Sequence, residues 1–207
     1  MNWGQTMPRF SEPERFLLEQ WRDARLLEDA MKGVRTKYAE IIDEVLERVR
    51  KSNRALDCPK AYFPGNGLYG TVAIGKSGWP KGSYAWPSGF WVDNLQLENL
   101  TSPEKEAPEK FVWISEQGAD PKQAEGKLRK AAGRVLSKEE LSQSECASDK
   151  NGSWLWWPFE RRERLLKLLV NDEARGFVDC MVDHFGQMAK FTSAVDEILI
   201  TGKRGRK

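Results

Sequence analysis

The chain has 207 residues, 40% of them hydrophobic and 31% charged, which is enough for one buried core and too apolar for a disordered polymer. Its 33 basic and 31 acidic side chains leave a net charge of +2, so no global excess points to nucleic acid, and any basic surface must be local. Three scattered cysteines (Cys58, Cys146, Cys180) argue against a disulfide framework, and no apolar run is long enough to span a membrane.

The start, Met1-Asn2-Trp3-Gly4-Gln5, lacks the basic and apolar stretches of a signal peptide, so a reducing, cytoplasmic setting is the expectation. Nine tryptophans are the unusual feature. Trp carries a large apolar surface and one N–H needing a partner, so it collects in cores and in interface hot spots.

Ser11-Glu12-Pro13-Glu14 is a capping box with proline in the first turn and predicts a helix start. Apolar residues follow in steps of three or four, through Leu17, Trp21, Ala24, Leu27, Met31, Val34, Tyr38, Ile41 or Ile42, Val45 and Val49. They form one stripe opposite a charged face. Gly33 lies inside the pattern and costs roughly 1 kcal/mol relative to Ala, so the helix is either one piece or two. Such a stripe either docks on the chain's own body or pairs with a second chain as a coiled coil.

Between residues 55 and 115, glycines and prolines punctuate short β-prone runs: Leu68–Ile74, Phe90–Leu97 and Phe111–Ile114. A three-stranded antiparallel meander is expected. Asp120-Pro121 predicts an N-cap followed by a helix to about Leu136. Residues 137–152 read as a polar loop, with one helical turn starting at Ser137. Ser153–Phe159 reads as a buried strand ended by proline, and Arg161–Leu169 as a short helix. Asn171 is the expected cap of a last long helix, with its stripe at Ala174, Phe177, Val178, Met181, Phe185, Met188, Val195 and Leu199. The segment from Thr201 to Lys207 is too charged to pack and reads as a disordered tail.

These readings give an α+β chain with long N- and C-terminal amphipathic helices packed on a small, mainly antiparallel, Trp-rich sheet. Its expected divisions are a helical segment 1–54, an α+β domain 55–200 and a basic tail 201–207.

Catalytic signals are thin. Cys180 and His184 stand four apart, a workable metal-ligand spacing, but there is no CxxC and a buried thiol beside a half-buried imidazole is the ordinary reading. His184 is the only histidine, and no nucleophile elbow accompanies it. Gly65-Asn66-Gly67-Leu68-Tyr69-Gly70 spells G-x-G-x-x-G, but a proline precedes it and a strand follows, the wrong context for a phosphate at a helix N-terminus. Asp93 and Glu98 lack the lysine that a Mg²⁺-dependent nuclease strand would carry, since position 100 is Leu. In layout alone, the sheet, tryptophans and flanking helices resemble restriction-endonuclease-like accessory proteins, and that layout implies no site residues. No catalytic residue, metal or cofactor is therefore assigned.

The expected function is a non-catalytic interaction module of a larger complex. Another protein chain, self or foreign, would meet it through Trp21, Met31, Val34, Tyr38, Trp79 and Trp86. The alternative is nucleic-acid binding in a phage-related or defence system, with or without hydrolysis. It would use Lys122, Lys127, Arg129, Lys130 and Arg134 on one helix with Lys203, Arg204 and Arg206 in the tail. A small-ligand cleft lined by Trp79, Trp86 and Trp91 ranks third.

Overall fold

The computed structural model describes residues 11–53, 56–62, 70–80 and 88–204, with the backbone alone for 58–62 and 201–204. Two compact units divide it, Met1–Tyr38 and Ala39–Lys207, so the boundary falls well before the expected one at residue 54.

In the first unit the backbone N–H of Ser11 donates to the Glu14 carboxylate at 2.6 Å, and α1 (Glu12–Glu19) starts as the capping box predicts. The break that follows is at Gln20, not at Gly33. Helix α2 (Trp21–Ser52) passes through Gly33 without interruption and crosses into the second unit. Nothing stands within 4 Å of where a Gly33 side chain would begin, so that glycine is neither a bend nor a close approach.

The second unit is built on a six-stranded antiparallel sheet in the order β1-β2-β3-β4-β6-β5. Its strands are β1 (Cys58–Tyr62), β2 (Thr71–Gly75), β3 (Gly89–Asp93), β4 (Glu109–Ser115), β5 (Glu145–Asp149) and β6 (Gly152–Pro158). The expected meander is present as β2-β3-β4. It is extended on one side by β1 and on the other by the β6-β5 hairpin. β3 stops at Asp93 because Asn94 takes a left-handed conformation (φ 58°), and the chain then forms α3 (Leu97–Thr101) instead of continuing as strand to Leu97.

Helix α4 (Pro121–Val135) begins where Asp120 accepts a hydrogen bond from the Gln123 N–H at 3.0 Å. α5 (Lys138–Ser142) repeats the device with Ser137 and Glu140. α6 (Arg162–Val170) matches the expected short helix. Asn171, by contrast, does not cap the next one. Asp172, Glu173 and Ala174 all have positive φ, and α7 (Arg175–Met188) starts only after this left-handed turn. The last helix is also two: a 3₁₀ turn over Ala189–Phe191 separates α7 from α8 (Thr192–Arg204). Its expected stripe, Ala174 through Leu199, is buried throughout. The backbone stays helical through Arg204, which corrects the expected tail; residues 205–207 lie outside the described ones. Among the described residues no helix is long and apolar enough to cross a membrane.

Strand alternation gives the sheet two different faces. Val112, Ile114, Leu155 and Trp157 point to the face covered by helices. Ser153 Oγ donates to the Pro121 carbonyl, and Cys146 and Ser148 both bond to Glu125, which fixes α4 against β5 and β6 on that same face. Phe111, Trp113, Trp154 and Trp156 point the opposite way and are only half-buried.

Candidate functional site

Three places in the described residues gather chemistry. The first is the apolar stripe of the N-terminal unit. Trp21 is 61% exposed and Val34 51%, with Phe16, Leu17, Leu27 and Met31 similarly open. Further along the same helix, in the second unit, Ile42, Val45 and Val49 are buried. The expected continuous stripe thus divides into a bare half and a covered half. Tyr38, expected at a partner surface, is buried.

The second is an open groove on the uncovered sheet face, lined by Phe111, Trp113, Trp154 and Trp156 with Glu109, Glu145 and Asp149. Trp113 and Trp154 are cross-strand partners with stacked rings, centroids 5.9 Å apart. Burial raises the Glu109 carboxyl above its ordinary range, opposed by the nearby Trp156 indole N–H. Aromatic faces and carboxylates both attract positive charge, so the groove suits a cation with an apolar body and repels phosphate.

The small-ligand cleft expected around Trp79, Trp86 and Trp91 is not this groove. Trp79 is 7% exposed, its indole donating to Asp196 at 2.9 Å, and Trp91 is buried. Trp86 lies outside the described residues. Trp79 is therefore no free loop contact. The signal that would have located the groove is the i, i+2 spacing of Phe111 with Trp113 and of Trp154 with Trp156, which puts each pair on one face.

The third is a half-buried polar cluster where β4 meets α7. Lys110, only 2% exposed, places Nζ 3.1 Å from His184 Nδ1 and 4.0 Å from Glu140, above the Trp157 ring. On the far side of the imidazole, Nε2 lies 3.6 Å from Glu160. Cys180, one turn before His184, completes the group: one ligand atom each from Glu160, Cys180 and His184 lie within 4.8 Å of one another. Burial lowers Lys110 and, together with the Lys110 charge, pushes His184 down to about 4. Burial and the Glu160 carboxylate push the Cys180 thiol up to about 11. At neutral pH the imidazole and thiol are both uncharged, which is unlike an activated nucleophile.

Lys122, Arg129, Lys130 and Arg134 are exposed on α4 and Lys127 is half-buried there. Arg129 is engaged by Glu125 and by the Cys146 carbonyl. Because α4 covers one face of the sheet and the open aromatics line the other, the cations and the rings do not share a surface. Lys203 and Arg204 continue α8, and Arg206 lies outside the described residues.

Comparison with known proteins adds no family: no family model, no curated protein and no solved structure matches this chain.

Proposed function

We propose that this chain is an interaction module that assembles by antiparallel pairing of its N-terminal helical arm with the same arm of a second copy. One observation carries the reading. Among the described residues, eight of the eleven large hydrophobic side chains left exposed fall between residues 16 and 34. Soluble proteins seldom leave so concentrated an apolar patch uncovered.

Charge pattern supports a second copy in antiparallel orientation. Leu17, Gln20, Ala24, Leu27, Met31 and Val34 follow alternating steps of three and four, the spacing of a coiled-coil seam. Antiparallel pairing that lays one exposed stripe on the other sets Leu17 opposite Val34, Gln20 opposite Met31 and Ala24 opposite Leu27, with no like-charged flanking pair. Parallel pairing in register instead sets Asp23 beside Glu28, a like-charge contact, twice.

Sedimentation equilibrium of the full chain tests this. A dimer is expected, weakened by Leu27→Asp or Met31→Asp. A wild-type chain that stays monomeric up to high micromolar concentration would overturn the reading.

A further inference from the structure

We propose that Glu160, Cys180 and His184 form a three-ligand site for a zinc-class divalent ion, with the fourth position open. The inference does not depend on the pairing of the N-terminal arms.

Cys180 and His184 are four residues apart on α7, so one helical turn sets both side chains on the same side, and Glu160 reaches them from the segment before α6. Metal–ligand bonds of about 2.1 Å at tetrahedral angles separate nitrogen and oxygen donors by about 3.4 Å, and sulfur slightly farther from either. His184 Nε2 and a Glu160 oxygen already stand 3.6 Å apart, and Cys180 Sγ lies within the same 4.8 Å limit. His184 and Glu160 need closing by tenths of an ångström and Cys180 Sγ by about 1 Å at most, which side-chain rotation supplies.

The donor set also selects the ion. One sulfur, one imidazole nitrogen and one carboxylate oxygen suit zinc or cobalt, while Mg²⁺ and Ca²⁺ prefer oxygen alone. Lys110 contacts the imidazole at Nδ1 and leaves Nε2 to the metal; with Nε2 ligated the ring proton lies on Nδ1, so Lys110 accepts it as the neutral amine and metal loading releases a proton. The competitor for Glu160 is Arg164, whose guanidinium reaches both carboxylate oxygens at 3.0 Å.

Co²⁺ titration of the full chain is the test, since thiolate-bound tetrahedral cobalt absorbs in the near ultraviolet by charge transfer and in the visible by d–d bands. One equivalent should produce both signals and Zn²⁺ should displace it. Cys180→Ser should remove the charge-transfer band, and Cys146→Ser should keep it. Glu160→Gln should weaken binding roughly tenfold or more, and Arg164→Gln, which frees the carboxylate, should tighten it. Circular dichroism checks that each variant folds. Absence of the bands in the wild type, or their survival in Cys180→Ser, overturns the site. Unchanged affinity in both Glu160→Gln and Arg164→Gln removes Glu160 and overturns the three-ligand assignment.

Discussion

Lys110 and His184 meet across 3.1 Å in a place where neither is well solvated. An ammonium at Nδ1 needs a lone pair there, so the imidazole is neutral with its proton on Nε2. Burial first, and then the Lys110 charge, hold His184 down to about 4. In the unfolded chain the same imidazole takes up its proton near 6.5. Between those values only the unfolded chain binds the proton, so acid favours unfolding. The contribution is fully present above 6.5 and lost as pH falls towards 4, up to roughly 3 kcal/mol at about 1.4 kcal/mol per pH unit. With one histidine in the chain, a single imidazole resonance followed by NMR reads the titration directly. Lys110→Met should move its midpoint upward. A wild-type midpoint near 6.5 would show that the imidazole is solvated.

Asp196 joins α8 to the turn after β2, accepting from the Trp79 indole at 2.9 Å and from the Lys76 ammonium. Removing it orphans a buried N–H and a partly buried cation together. Asp196→Ala should cost about 1–3 kcal/mol in denaturant unfolding. Asp196→Asn, which keeps an acceptor for the indole, should cost less. If the two substitutions prove equal, the ion pair with Lys76 accounts for the whole effect.

Much of this architecture is written locally. Asp120-Pro121 and Ser137 with Glu140 are short-range devices, and helices begin where they stand. Periodicity also marked the C-terminal core from Ala174 to Leu199, though it could not show the 3₁₀ break at Ala189–Phe191, because apolar spacing continues across it. β5 looks like loop in sequence because Glu145-Cys146-Ala147-Ser148-Asp149 holds no β-branched or aromatic residue; it is a strand only through its pairing with β6. The groove and the Glu160–Cys180–His184 cluster depend on long-range register. Phe111 finds Trp156 across a strand pairing, and Glu160 finds α7 through the packing of α6 beside it. The split of the first stripe was also out of reach, because Val34 and Val45 are alike in local pattern.

Two glycines give opposite expectations. A methyl group at Gly33 would meet nothing within 4 Å in the middle of α2, so Gly33→Ala should raise stability by about 0.5–1 kcal/mol and increase the helical signal. At Gly152 the same atom would sit 2.3 Å from the Ile114 carbonyl oxygen, a backbone atom that cannot retreat without breaking the β4–β6 register. Gly152→Ala should lower the thermal midpoint strongly, by well over 1 kcal/mol in stability. A mild effect there would mean that the β5–β6 turn relaxes independently of β4.

Val34 and Val45 lie on the same face of one helix and differ in what covers them: Val34 is 51% exposed, while Val45 has no exposed surface at all. An aspartate at 45 places an unpaired charge among apolar side chains, and Val45→Asp should cost more than about 3 kcal/mol, enough to unfold a marginal domain. An aspartate at 34 meets water in the isolated chain. Val34→Asp should leave the unfolding midpoint at dilute concentration within about 0.5 kcal/mol of wild type while weakening self-association. Measuring both variants at two protein concentrations separates the terms: stability lost at 45 does not depend on concentration, and stability lost at 34 grows with it. Were Val34→Asp as damaging as Val45→Asp in dilute solution, the N-terminal stripe would be part of the chain's own core, and no second copy would be needed to cover it.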